Sequence, residues 1–300
     1  LLGYKHGYNG LLQQEFIPLS LDSTHNLIQQ GGTILHSARC KEFKNREGLI
    51  KAADNLRQAE IDTLIVIGGD GSFRGAAKLS ELWDGQILGI PGTIDNDIAG
   101  TDATIGYFTA IDTAMSSIDK VRDTADAFER IFLVEVMGRN AGFLALNGAL
   151  SAAADYVVVP EFFESAETEI KKIVNQIKAQ RALKGPVSFI VVVAENVWPN
   201  GLTGLTEALQ YHNINDVRPV TLGHVQRGGS PVAQDRLLAT TLGEFAISLV
   251  GSDVTNIMVG EVNQRPITVP LPKTWEETKP LNQARVDAMR TLMNERYSCD

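Results

Sequence analysis

Cysteine is scarce in this sequence: Cys40 and Cys299 are the only two, far apart and outside any Cys-x-x-Cys pair. That excludes a disulfide framework or a zinc knuckle as the source of stability and fits a reducing, cytoplasmic setting. Long apolar runs are also missing, and none reaches the roughly 20 residues needed to span a bilayer. Positive charge is in deficit, with 27 Lys and Arg against 36 Asp and Glu and a formal net charge of -9. This argues against a nucleic acid or an anionic membrane as a general partner, yet leaves room for a local basic pocket. The opening Leu1-Leu2-Gly3-Tyr4 has neither an initiator Met nor the basic flank of a signal peptide, so a longer gene product is expected. What is present is ordinary for a globular chain: 44 % hydrophobic residues in 300, enough for one large or two modest domains.

The pattern along the chain alternates. Arg46 to Glu60 has helical spacing of apolar residues, and Ile61 to Ile67 reads as a buried parallel strand. A short helix is expected over Ser72 to Leu82 and a strand over Ile87 to Ile90. The long helix Thr104 to Arg122 carries Phe108, Ile111, Met115, Ile118 and Val121 on one face. Strands follow at Ile131–Val136, Tyr156–Glu161 and Val187–Ala194. Helices are expected at Phe143–Ala154, Ala166–Gln180, Ala233–Val250 and Asn282–Glu295. Arg218 to Gly229 reads as a polar stop, Asn256 to Ile267 as mixed short strand and turn, and Pro270 to Pro280 as irregular. This is an α/β chain with open parallel sheet, whose ligands gather at the C-terminal ends of strands.

Glycines and charges sit at those ends. Gly68-Gly69-Asp70-Gly71-Ser72 lets the backbone approach a phosphate, and Asp70 can hold Mg²⁺; a capped strand-to-helix turn is the plainer alternative. Pro91-Gly92-Thr93-Ile94-Asp95-Asn96-Asp97 sets two carboxylates two residues apart. One can act as a base toward an alcohol attacking a phosphoryl group; an Asx turn is the alternative. Met137-Gly138-Arg139 offers an arginine for a phosphate, and Glu195 a carboxylate for sugar hydroxyls. His224 and Arg227, in His224-Val225-Gln226-Arg227-Gly228-Gly229-Ser230, can meet one phosphate monoester, and Arg218 lies near them in sequence. Arg130 lies at the far end of the strand that leads to Arg139. Nine extended residues span about 25–30 Å, so both serve one kind of site only if Arg130 is lent across a subunit interface. Arg39, Arg122 and Asp155 carry weaker signals.

Taken together and in this order, these four motifs resemble the bacterial ATP-dependent 6-phosphofructokinases over roughly Gly3 to Glu261. The resemblance implies two open three-layer α/β/α lobes with the active site in the cleft between them. It puts residues 1–106 plus 226–275 in a larger nucleotide-binding domain and 107–225 plus 276–300 in a smaller sugar-phosphate domain. It implies phosphoryl transfer from MgATP to the 1-hydroxyl of fructose 6-phosphate, the committed step of glycolysis. Asp95 is then the base, with Thr93, Asp97 and Arg139 beside it. Met137, Gly138, Glu195, His224 and Arg227 bind the sugar phosphate, joined by Arg130 and Arg218 from a neighbouring subunit of a homotetramer. Arg39, Cys40, Gly69, Asp70, Gly71 and Ser72 face the nucleotide, with Asp70 on Mg²⁺. Arg122 and Asp155 match positions of an allosteric effector site. Gly71 and Gly92 go with ATP in this family, where Asp and Lys go with the alternative donor, pyrophosphate.

The family also opens with a strand and a Gly-Gly-Asp-x-Pro-Gly-x-Asn loop that has no counterpart here. A gene product longer by about 25–35 residues, one strand–loop–helix unit, is expected. On that view a 300-residue chain alone is a feeble enzyme, a catalytically silent subunit or a fragment. The segment Leu183-Lys184-Gly185-Pro186 carries one Lys where relatives have a basic cluster, so control by ADP or phosphoenolpyruvate is expected to be absent or altered.

Overall fold

The computed structural model describes residues 1–295. In chain order its strands are β1 (Leu2–Tyr4), β2 (Phe16–Pro18), β3 (Thr63–Gly68), β4 (Gln86–Pro91), β5 (Ile131–Val136), β6 (Tyr156–Val158), β7 (Phe189–Ala194), β8 (Val217–Thr221), β9 (Ile257–Val262) and β10 (Arg265–Pro270). The helices are α1 (Tyr8–Gln13), α2 (Leu21–Thr24), α3 (Arg46–Gln58), α4 (Asp70–Leu79), α5 (Tyr107–Phe128), α6 (Phe143–Ser151), α7 (Ala166–Lys184), α8 (Gly201–Tyr211), α9 (Ala233–Ser248), α10 (Lys273–Glu276) and α11 (Gln283–Glu295). They form two compact units. The first comprises residues 1–93, 98–106 and 228–279; the second comprises 94–97, 107–227 and, among the described residues, 280–295. The segment Ile94–Asp97 thus belongs to the second unit, although the expected boundary at residue 106 left it in the first lobe.

In the first unit the sheet order is β10-β9-β4-β3, with β3, β4 and β9 parallel and β10 antiparallel, beside a small β1–β2 ribbon. Phe73, Ala76 and Leu79, three apart on α4, are fully buried among Leu56, Ile87, Met258 and Leu271. That spacing is why a helix forms there: one stripe faces the sheet. The run Ile61–Ile67 is not the fully buried strand its composition suggests. Among the described residues β3 is an edge strand; Val66 is buried, but Ile67 is 66 % exposed.

The second unit has a parallel sheet in the order β6-β7-β5-β8. All six residues of β7 are buried, as a doubly covered strand requires. Leu133, Val191 and Val193 from the sheet pack with Ile173, Ile177 and Leu205 from the helices to form the core. The buried stripe of α5 is Tyr107, Ala110, Ala114, Ile118 and Ala125, and Phe108, Ile111, Met115 and Val121 flank it only partly covered. The helix also runs past Arg122 to Phe128 and stops where Glu129 turns left-handed at φ 53°.

Other elements differ from expectation for local reasons. The polar stop at Arg218 is in fact the strand β8, whose Pro219 is tolerated because β8 lies at the sheet edge. The helix α8 went unread because Gly201 and Gly204 interrupt its pattern. A turn of helix, α10, forms within Pro270 to Pro280. No helix among the described residues is long and apolar enough to cross a membrane.

Candidate active site

The first unit brings two glycine loops side by side. Gly68 at the end of β3 pairs in register with Pro91 at the end of β4, and the Gly92 N–H donates to the Gly68 carbonyl at 2.9 Å. A methyl group on Gly69 would sit 3.6 Å from the Thr93 side chain. Thr93 is steadied by its carbonyl, which accepts from Thr104 Oγ1 at 2.6 Å. Gly69 is the residue before α4, and no side chain caps that helix. The capping alternative for Asp70 or Ser72 is therefore not realised, and the Ser72 N–H turns back to the Gly69 carbonyl at 2.9 Å. Gly71 has open space around its α-carbon, whereas a side-chain carbon on Gly92 would meet Ile67 at 3.1 Å.

Asp70 pairs with Arg74 one turn along, Nε to Oδ1 at 2.6 Å, and the Arg74 guanidinium lies 5.0 Å from the Trp275 ring centre. Tyr8 donates its hydroxyl to the Ser72 carbonyl at 2.6 Å and stacks on Phe43 at 3.7 Å. Burial pushes the Tyr8 phenol well above its ordinary pKa, so it is a neutral donor. Tyr8, Arg74 and Trp275 went unread as site residues because their partners are close in space, or one helical turn away, without forming any motif. Cys40 is a partly buried free thiol packed against this unit's core, and Arg39 before it is exposed. No group of three His, Cys, Asp or Glu among the described residues could hold a metal. Mg²⁺ asks for less, commonly one or two carboxylates with the donor's phosphates completing its shell, and Asp70 fits that requirement.

The second unit holds the carboxylate loop. Asp95 and Asn96 are each 3 % exposed, Asp97 is half-buried, and Asn96 takes a left-handed φ of 56°, which Asn adopts readily. Asp95 Oδ2 meets Arg139 Nε at 3.1 Å. Arg139 arrives from the end of β5 by a tight bend: Gly138 has φ 145° and Arg139 itself φ 55°. Only glycine suits the first of these, since a side-chain carbon there would stand 2.6 Å from the Ala141 carbonyl oxygen.

Side chains from two other strand ends hold the bend. The Met137 N–H donates to Gln226 Oε1 at 2.9 Å, and Gln226 is 1 % exposed. The N–H groups of Gly138 and Arg139 both donate to Glu195 Oε1, at 3.0 and 2.5 Å. Asn196 Nδ2 donates to the Arg139 carbonyl at 3.3 Å. Glu195 therefore grips the Gly138-Arg139 backbone here, a job its expected part in binding hydroxyls did not include. Glu135, on β5, accepts from Thr221 Oγ1 at 3.3 Å. Burial pushes its carboxyl above the ordinary value, Thr221 partly offsets this, and the nearby Glu195 charge adds to it. His224 and Arg227 lie exposed on the 3₁₀ turn Gly223–Arg227 that follows β8.

Arg130 and Arg218 lie apart from these groups. Arg130 precedes β5, its guanidinium over the Phe128 ring at 4.3 Å. Arg218 pairs in register with Phe132 near the start of β5 and meets Asp216 at 3.6 Å. Both sit at the sheet end opposite Met137, about 20 Å along a six-residue strand. Arg122 donates to the Ala152 and Ala153 carbonyls at 2.8 and 2.9 Å, closing the end of α6, and lies 3.9 Å from Asp155. Asp155, buried, accepts from the Ile190 N–H at 2.8 Å.

Comparison with known proteins gives a consistent result. The family described as Phosphofructokinase matches residues 1–250. The chain is 45 % identical over 292 residues to ATP-dependent 6-phosphofructokinase 1 of Thermus thermophilus, covering 97 % of this chain and 89 % of that protein. It is 44 % identical to ATP-dependent 6-phosphofructokinase 2 of Bacteroides thetaiotaomicron, covering 97 % and 88 %. Among solved structures, phosphofructokinase from Saccharomyces cerevisiae aligns with a TM-score of 0.82 at 31 % identity, over 98 % of this chain and 42 % of that longer one. A pyrophosphate-dependent phosphofructokinase from Marinobacter aquaeolei aligns with a TM-score of 0.80 at 20 % identity, over 97 % and 82 %, a likeness of fold alone.

Proposed function

The chain belongs to the phosphofructokinase family, its activity is the ATP-dependent conversion of fructose 6-phosphate to fructose 1,6-bisphosphate and ADP, and we propose that Asp95 is the base of that reaction. The observation that carries this reading is the buried Asp95 carboxylate at the end of β4, ion-paired with Arg139 at 3.1 Å. A carboxylate so placed can take the proton of the sugar 1-hydroxyl as that oxygen attacks the terminal phosphoryl group. Arg139 then turns its charge to the transferring phosphoryl, where negative charge builds. Thr93 and Asp97 flank the reacting groups. Met137, Gly138, Glu195, His224 and Arg227 form the sugar-phosphate pocket, the last two meeting the 6-phosphate.

Arg39, Cys40, Gly69, Asp70, Gly71 and Ser72 receive the nucleotide. Asp70 would hold Mg²⁺, which neutralises phosphate charge when bound. Open space at Gly71 supports ATP over the smaller donor pyrophosphate, since no side chain fills the room a nucleoside needs. Arg130 and Arg218, remote from Arg139 within one chain, serve the site of a neighbouring subunit in a homotetramer. Arg122 and Asp155 belong to an effector site. A glycolytic reaction of this kind belongs in the cytoplasm.

The test is Asp95→Asn. Turnover of fructose 6-phosphate with MgATP should fall about 10³-fold, within the usual reach of general base catalysis, while sugar-phosphate binding is largely kept. Retained turnover in that variant, or turnover with Mg-pyrophosphate in place of MgATP, would overturn the assignment.

A further inference from the structure

Residues 98–106 of the first unit form a strap along the end of β4. The last part of the strap holds the Pro91-Gly92-Thr93 loop by its backbone. The Ile105 N–H donates to the Pro91 carbonyl at 2.9 Å, and Gly92 and Ile105 pair as a single parallel bridge. Thr104, fully buried, donates its hydroxyl to the Thr93 carbonyl at 2.6 Å. The strap is itself fastened in two places. Midway it hangs on β9: the Asp102 N–H donates to the Glu261 carbonyl at 2.7 Å, and the Glu261 N–H donates to Thr101 Oγ1 at 3.0 Å. At its end the Gly106 N–H donates to Asp235 Oδ1 at 2.8 Å. Asp235 lies in the first turn of α9.

Asp235 is 2 % exposed, and a carboxylate so buried persists only where polar groups meet it. Gly106 is where the strap turns, with φ 100°, a conformation that glycine adopts readily and other residues do not. Glycine has no side chain to anchor it, so an outside acceptor steadies the direction of its N–H. Asp235 supplies that acceptor from 129 positions further along the chain. Thr104, Ile105 and Gly106 are consecutive. A carboxylate that fixes Gly106 therefore also steadies the two residues that hold Thr93 and Pro91.

We propose that Asp235 is a positioning residue for Thr93, acting through the Gly106 backbone and the strap residues Thr104 and Ile105. The inference rests on the reading that Thr93 flanks the reacting groups. Asp235 need touch neither substrate. Its effect falls on the placement of the Thr93 loop, hence on kcat rather than on sugar-phosphate binding.

Asp235→Ala removes the acceptor. Its kcat should fall on the order of 10-fold, the scale of a misplaced catalytic group, with the KM for fructose 6-phosphate little changed. Asp235→Asn keeps an oxygen for the Gly106 N–H and should recover most of the loss. Thr104→Val keeps the shape of the side chain, removes the hydroxyl that holds Thr93, and should also lower kcat. Combined with Asp235→Ala, its loss should fall short of multiplying, because both changes loosen one strap. A carboxylate that only stabilised the fold would lower the urea midpoint of the Ala variant and leave the folded enzyme at the parent kcat. That result would overturn the proposal. So would equal loss in the Ala and Asn variants, a loss expressed chiefly in KM, losses that multiply, or parent kcat in Thr104→Val. Asp235→Leu fills the same space without an acceptor and replaces the Ala variant if that one folds poorly. Thr93→Ala separates the two readings: if it keeps the parent kcat, the role of Thr93 falls and that of Asp235 with it. If it loses kcat while Asp235→Ala works at the parent rate, only the role of Asp235 falls.

Discussion

Arg139 Nε lies 3.1 Å from Asp95 Oδ2, joining a side chain that is mostly in solvent to one that is almost wholly buried. Without ligand, the proposed base and the proposed phosphoryl-stabilising cation hold one another. On the proposed mechanism, substrate phosphate draws the guanidinium to itself while the carboxylate turns to the alcohol. Replacing Arg139 by Ala should lower kcat by about 10²-fold, with a smaller change in the KM for fructose 6-phosphate. Arg139→Lys should restore little, since an ammonium lacks the planar fork. Steady-state kinetics decides, and an Ala variant at the parent kcat would refute the role.

Two glycines should respond in opposite ways. At Gly138 the backbone has φ 145°, and an added side-chain carbon would stand 2.6 Å from the Ala141 carbonyl oxygen, so there is no room. Gly138→Ala should cost about 1–3 kcal/mol in urea unfolding and depress kcat through Arg139. Gly71 has nothing nearby, so Gly71→Ala should unfold like the parent and change only the KM for ATP. Equal stability loss in both would contradict this account.

Tyr8→Phe removes the 2.6 Å hydrogen bond to the Ser72 carbonyl while keeping the stack on Phe43. About 1 kcal/mol is at stake, so the KM for ATP should rise roughly fivefold if the nucleotide loop loosens. The KM for fructose 6-phosphate should stay put; a shift there instead would place Tyr8 outside the nucleotide side.

Glu135 makes a pH prediction. Burial favours its neutral form, so its folded pKa lies above the ordinary 4.5. Well below that value both folded and unfolded chains are protonated and the residue costs nothing. As pH rises past it the unfolded chain ionises first, and stability is lost until the folded carboxyl ionises too. Glu135→Gln should therefore be more stable than the parent at pH 7, with the gain vanishing in acid below the ordinary value. Thermal melts at both pH values check it, and a gain that grows in acid would reverse the sign.

The glycine loops and the strands that lead to them were legible because each signal is local: an apolar run, then glycine and charge. The βαβ step β3–α4–β4 could be read from residues 63 to 91 alone. β8 was hidden because an edge strand admits Arg218 and Pro219, which read as a break. The edge position of β3 was hidden for the reverse reason, since Ile67 is as apolar as a buried residue. Glu195 and Gln226 were visible as polar groups, but their grip on residues 137–139 joins positions 56 to 89 apart and leaves no local trace.

That grip decides what can be transplanted. Met137, Gly138 and Arg139 form a tripeptide whose three successive N–H groups are held by Gln226 and Glu195. Copied alone into another scaffold, the tripeptide would relax out of its left-handed bend and aim its guanidinium at nothing in particular. The smallest portable piece is the parallel sheet from β5 through the turn after β8, because that sheet delivers all three strand ends to one place.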